Sequence, residues 1–238
     1  MAVPNAVPRL AAPLFLAAAI LVSFALEKPQ PPIELPAGEA PAPPEAELRA
    51  AYERVVSAAT PGYDRGVPLA RVTVVEFLDF GCRYCASFAA EAYPALADEF
   101  VRTGKVRWVT VPFVLGMFPN GEEAARAATC AAEQGRAAFG RMHDVLFARQ
   151  DEWKGTADAA PLFARYAVDA GLDGARFAAC SRAARPAARV RAASELADKM
   201  GVRSTPTFFI NGGRLEGALP AEQFRRILLD ALKQSTTD

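Results

Sequence analysis

The stretch EFLDFGCRYCASF, residues 76–88, joins an apolar run to two cysteines spaced C-x-x-C. Residues 71–80, RVTVVEFLDF, are dense in β-branched and aromatic side chains and do not alternate with polar ones. That pattern predicts a strand buried on both faces. After Cys82 the period changes: Phe88, Tyr93, Leu96 and Phe100 approximate a helical stripe, and Gly104 stops it. Residues 105–113, KVRWVTVPF, read as the next strand. A strand–helix–strand order predicts a parallel pair joined by a right-handed crossover.

Downstream, residues 121–201 are Ala-rich with helical stripes such as Phe139, Met142, Leu146 and Phe147, and read as several helices. Strand character returns at 207–210 (TFFI), Asn211-Gly212-Gly213 marks a turn, and 214–218 (RLEGA) reads as a second short strand. An amphipathic helix is expected from about Pro220 to Leu232. Upstream, residues 48–59 read as a short amphipathic helix. The predicted class is an α/β domain over 48–238, interrupted by a helical insertion at about 121–201.

The amino terminus has a different character. Leu10 to Leu26 carries no charge and follows Arg9. As a helix it would rise about 25 Å, slightly short of a hydrocarbon core of about 30 Å. It reads as a secretory signal, with a small-x-small pattern at Ser23-Phe24-Ala25, or as an uncleaved membrane anchor. Residues 27–47, rich in proline, read as a linker that builds no core. Both readings of 1–26 export the rest of the chain. Lys plus Arg equals Asp plus Glu, 27 each, so no net positive charge points to a nucleic-acid partner. The arginines at 182–191 alternate with alanines as on a solvated helix face.

Cys82 lies where strand gives way to helix. Unpaired backbone N–H groups and the helix dipole there favour a thiolate. Cys82 is expected at the first turn and partly exposed, with Cys85 one turn later nearer the core. The two sulfurs can form a small-ring disulfide with Cys82 attacking and Cys85 resolving. Arg83 between them should favour the thiolate further. A zinc site needs about four ligands. His143 is the single histidine, and Cys130 and Cys180 are not spaced as a second pair, so no metal is expected. An inert structural disulfide is the remaining alternative to a redox pair.

With EFLDFGCRYC, the later STPTFFING and the helices between, roughly residues 65–235 resemble the thioredoxin superfamily, in particular bacterial DsbA-type thiol–disulfide oxidoreductases. The resemblance implies a thioredoxin-like fold with an inserted helical subdomain. It implies a cis peptide at Thr205-Pro206, beside the nucleophilic sulfur, where Thr205 and Pro206 with Arg83 and Tyr84 meet substrate. It implies that Glu76, six positions before Cys82, is a buried acid that moves a proton at Cys85; Asp79 fits that spacing less well. Many members have proline after the first cysteine, and Arg83 departs from that. Some members staple the insertion with a disulfide at places similar to Cys130 and Cys180. Gly116-Met117-Phe118, following a strand, is expected near the cysteines.

The function implied is oxidation of protein dithiols to disulfides in a periplasmic or other extracytoplasmic compartment, without a cofactor. Its partners would be unfolded or thiol-containing exported proteins. A quinone-linked membrane protein, DsbB-like or vitamin K epoxide reductase-like, would reoxidise the pair. A disulfide reductase or isomerase, a non-catalytic peptide-binding chaperone module and a metal carrier are the alternatives.

Overall fold

The computed structural model describes residues 45–56 and 62–235. The expected signal or anchor at 1–26 and most of the expected linker lie outside the described residues. Helix α1 runs Glu45–Val56, so it begins inside the stretch expected to be linker and ahead of the expected start at Leu48.

The sheet of the described residues has five strands: β1 (Tyr63–Asp64), β2 (Val72–Leu78), β3 (Val106–Pro112), β4 (Thr207–Ile210) and β5 (Gly213–Glu216). Their order is β1-β3-β2-β4-β5. β2 and β3 are parallel, with Glu76 opposite Thr110, as the strand–helix–strand reading predicts. β4 runs antiparallel to β2, with Val75 opposite Phe209. β1 is not foreseen by the sequence; two residues carry no period, and their strand state comes from pairing with β3. Asn211 and Gly212 both have positive φ, 47° and 91°, which suits the two-residue hairpin between β4 and β5.

Alternation along the central strands sorts their side chains into two cores. Val72, Val74, Val106, Trp108, Phe208 and Ile210 pack with Phe88, Leu96 and Phe100 and with Phe224 and Leu228 of the last helix, α10 (Ala221–Gln234). Val75, Phe77, Val109, Val111 and Phe209 pack on the opposite face, against Ala51 of α1 and Leu196 of α9 (Arg185–Lys199). Glu76 therefore shares a face with Trp108, beneath the helix that follows the cysteines.

That helix is not continuous. α2 (Arg83–Ser87) passes into a π-helical turn at Phe88–Ala92, then α3 (Tyr93–Leu96), then a second π-helical turn at Ala97–Val101. Pro94 has no N–H to offer the preceding turn, so a regular i→i−4 ladder cannot run through it. Gly104, at φ 73°, ends the segment.

Helices α4 (Gly121–Ala132), α5 (Arg136–Ala148), α6 (Gln150–Lys154), α7 (Ala160–Asp169) and α8 (Gly174–Ser181) form the insertion with α9. Their core is built from Ala128, Phe139, Met142, Leu146, Trp153 and Tyr166, and it extends to Phe80, Cys82 and Cys85. The cysteine pair thus sits on the seam between insertion and sheet.

Candidate active site

Strand β2 ends at Leu78, and three residues of turn carry the chain to Cys82, which caps α2 in an extended conformation (φ −78°, ψ 122°). Glycine is required in that turn: a Cβ on Gly81 would overlap Cβ of Phe118. Phe118 is the residue of the 116–118 stretch that reaches the site, while Met117 is 67 % exposed.

Both cysteines are thiols. Cys82 is only 4 % exposed, which corrects the expected partial exposure. The cause lies far along the chain. The Thr205–Pro206 peptide is cis, both residues are buried, and the Thr205 carbonyl oxygen stands 3.4 Å from Cys82 Sγ. A helix start would leave the sulfur open, and this loop closes over it.

The two sulfurs are electrostatically unequal. The Cys85 thiol donates to Cys82 Sγ, with further help from Thr205 and from the backbone N–H groups of Cys85 and Tyr84. Together they outweigh burial and pull the Cys82 thiol down from 9.0 to about 5. Burial and the neighbouring Cys82 sulfur push the Cys85 thiol well above its ordinary range, and Glu76 adds to that. Thr205 Oγ1 is buried with no hydrogen-bond partner among the described residues. When Cys82 loses its proton, the carbonyl contact turns repulsive and this hydroxyl is the group free to donate.

Arg83 is coupled to Cys82 by charge and is also engaged by its neighbour. Its guanidinium lies over the Tyr84 ring, 4.7 Å from the centroid, and donates to Tyr84 Oη at 2.8 Å. Both side chains face solvent at the helix start, Tyr84 53 % exposed.

Two buried carboxyls flank the pair. Glu76 accepts from Trp108 Nε1 at 2.8 Å, with Thr110 Oγ1 at 3.5 Å. Burial raises its pKa against the pull of Trp108 and of the nearby Arg65. Asp79 is fully buried too, although its spacing fits the role less well. It accepts from Gly81 N at 2.8 Å and Leu115 N at 2.9 Å, and burial likewise raises its pKa. Glu76 bears on Cys85, Asp79 on Cys82.

The remaining sequence candidates lie elsewhere. Cys130 of α4 and Cys180 of α8 are joined by a disulfide, with 5.6 Å between Cα atoms. His143 is buried behind Phe80, where burial and Arg65 hold its pKa down at about 4. Sequence reading missed Gln150 and Lys154, which hydrogen-bond to the carbonyls of the active-site turn. No local pattern signals a contact across some seventy residues.

Residues 60–230 match the family model described as thioredoxin. Among curated relatives, the protein named Na(+)/H(+) antiporter NhaA 3 of Salinispora tropica is 40% identical over 169 residues, 70% of this chain and 24% of that protein. The Na(+)/H(+) antiporter NhaA of Herminiimonas arsenicoxydans is 36% identical over 166 residues, 69% of this chain and 24% of that protein. The chain spans about a quarter of the length of these relatives. Among solved structures, α-DsbA1 of Wolbachia pipientis superposes with a TM-score of 0.66 at 19% identity, covering 74% of this chain and 93% of that one. Oxidised BdbD of Bacillus subtilis gives 0.65 at 23% identity, covering 73% and 94%. The catalytic domain of Proteus mirabilis ScsC gives 0.64 at 19% identity, covering 79% and 98%.

Proposed function

Because this chain belongs to the thioredoxin family and shares the fold of DsbA-type thiol–disulfide oxidoreductases, we propose that it oxidises protein dithiols to disulfides through Cys82 and Cys85. The observation that carries this reading is the inequality of the two sulfurs, Cys82 at about 5 and Cys85 raised well above its ordinary range.

In the oxidised form a substrate thiolate attacks Cys82 Sγ. The Cys82–Cys85 bond breaks, and Cys85 leaves with the electron pair. A thiolate is disfavoured at so buried a place, so Cys85 must take a proton as it leaves. Glu76, whose pKa burial raises, is the proton source. A second substrate thiolate then attacks the substrate sulfur of the mixed disulfide. The substrate disulfide forms and Cys82 leaves as a stabilised thiolate. Two electrons have passed from substrate to the enzyme dithiol. A leaving group of low pKa departs readily, and a stabilised dithiol form makes the disulfide a strong oxidant.

Substrate would dock along the cis Thr205–Pro206 loop, with Tyr84 and Arg83 at the rim. The partners are thiol-containing proteins, which we place in an exported compartment on the apolar stretch 10–26, acting as signal or anchor. A quinone-linked membrane protein of DsbB or vitamin K epoxide reductase type would return the pair to the disulfide. Ion antiport is no part of this proposal, since the shared stretch is about a quarter of the proteins so named.

The test is equilibration of the Cys82–Cys85 pair with glutathione buffers, read by thiol trapping. A potential of roughly −120 to −180 mV is expected for an oxidase. A value of about −270 mV, as in thioredoxin, would turn the reading to a reductase.

A further inference from the structure

The carbonyls of Phe80, Gly81 and Cys82 form the turn from β2 into α2, and all three accept hydrogen bonds from α6 of the insertion. Gln150 Nε2 donates to Phe80 O at 2.6 Å and to Cys82 O at 3.1 Å. Lys154 Nζ donates to Gly81 O at 2.7 Å. Positions four apart share one face of a helix, which brings both donors to the same turn.

Helix α6 is itself held firmly. Trp153 is fully buried and its Nε1 donates to Leu146 O at 2.8 Å. Asn120 Nδ2 donates to Trp153 O at 2.8 Å and to Thr156 O at 2.9 Å. Glu152 accepts from Tyr166 Oη at 2.8 Å. Gln150 is 7 % exposed. Lys154 runs past Phe118, its Nζ 5.2 Å from the ring centroid, and Phe118 in turn covers Gly81. The donors are thus fixed before any redox change takes place.

Their chemistry favours one redox state. A donor on a carbonyl of this turn offsets that carbonyl's negative end, and the turn carries Cys82 at its close. The charged groups around the turn are Lys154, Asp79 and Arg83, with Glu76 deeper, against Cys85. Lys154 offsets Asp79, whose carboxyl faces Cys82. A disulfide carries no charge and gains little from either donor. A dithiol with an ionised Cys82 gains from both.

We propose that α6 is a redox-setting clamp, in which Gln150 and Lys154 are positioning residues that stabilise the dithiol over the disulfide and make the pair more oxidising. The inference rests on the redox function proposed above. It adds that the helical insertion, through two side chains, sets the poise of a site built on the sheet.

The full chain, unmodified or variant, is equilibrated with glutathione. Two glutathione thiols give two electrons to the Cys82–Cys85 disulfide and become one glutathione disulfide; one of their protons goes to Cys85 and, with Cys82 ionised, the other goes to solvent. Lys154→Met and Gln150→Leu are each expected to lower this equilibrium constant roughly tenfold, about 30 mV toward a more reducing potential. Lys154→Arg, which keeps charge and donors, is expected to stay within about twofold. The melting temperature of each oxidised protein is measured alongside. Constants equal to the unmodified value in Lys154→Met and Gln150→Leu, whatever the melting shows, would reduce α6 to a brace and overturn the proposal. Should both variants fail to fold, Lys154→Gln decides. It keeps a donor and loses the charge; a fall of severalfold supports the clamp, and an unchanged constant removes it. An unmodified pair without a reversible equilibrium would overturn the redox function itself, a different result from equal constants.

Discussion

Removing the Cys85 thiol should show what holds Cys82 ionised. Cys82 lies 4 % exposed, yet its thiol is pulled from 9.0 to about 5. A difference of that size is on the order of 5 kcal/mol between its two protonation states. The first contributor is the hydrogen bond from Cys85; Thr205 and the N–H groups of Cys85 and Tyr84 follow. A hydrogen bond to a charged group is worth about 1.5–3 kcal/mol, or roughly one to two pH units. Cys85→Ala should therefore bring the Cys82 midpoint up to about 6–7. Cys85→Ser, which restores a donor, should bring it back down. With Cys130 and Cys180 bonded, each variant retains Cys82 as its single thiol. Thiolate absorbance in the ultraviolet and the rate of alkylation, both followed against pH, report it directly. A midpoint in Cys85→Ala that stays near 5 would refute the reasoning and assign the effect to the helix start and Thr205.

Glu76→Gln should stabilise the folded protein at neutral pH. The folded-state pKa of Glu76 is raised, so its stability is intact below the unfolded value near 4.5 and is lost as pH rises through the folded one. Urea unfolding should show the variant's advantage absent near pH 4 and growing as pH rises towards 7; a gap independent of pH would contradict this. Gly81→Ala should cost about 1–3 kcal/mol, because the new methyl runs into Cβ of Phe118. Unchanged denaturant unfolding would show that Phe118 moves aside freely. Replacing Cys130 and Cys180 by serine opens a link between residues 50 apart and should cost about 4 kcal/mol by chain entropy, with the Cys82–Cys85 potential left in place. A shift in that potential would show the two disulfides to be coupled.

The framework of the fold is written in local patterns. The unbroken apolar run of β2, the matching run of β3 and TFFI at β4 each mark a strand to within a few residues. The insertion is readable from its helical stripes and its lack of strand character. Cys82 and Cys85 stand out because C-x-x-C at a strand–helix junction is a local signal too, whereas Pro206 stands out through the family resemblance. What escapes such reading depends on residues distant in the chain. β1 becomes a strand through β3, and Cys82 is covered by a loop more than a hundred residues away. Pro94 is the local signal against a continuous helix after the cysteines. Glu76 lies within β2 and Asp79 in the turn beyond it, and the resemblance favours Glu76 by its spacing from Cys82; burial takes in both because the insertion covers the end of the strand as the last helix covers its face.

The position of the insertion also orders events during folding. β2 and β4 are neighbours in the sheet, yet Val74 pairs with Ile210, across the whole insertion. Bringing such distant segments together costs loop-closure entropy and depends on intervening chain that has become compact. As the chain is synthesised, the cysteines emerge long before Thr205 and Pro206. Until β4 arrives, Cys82 lacks the loop that covers it and the hydroxyl that supports its thiolate. A growing chain therefore has both cysteines before it has the Thr205–Pro206 loop along which, on the proposed function, substrate would dock. On that function, exchange would begin only when the sheet closes, after Cys130 and Cys180 have both been made and can find each other.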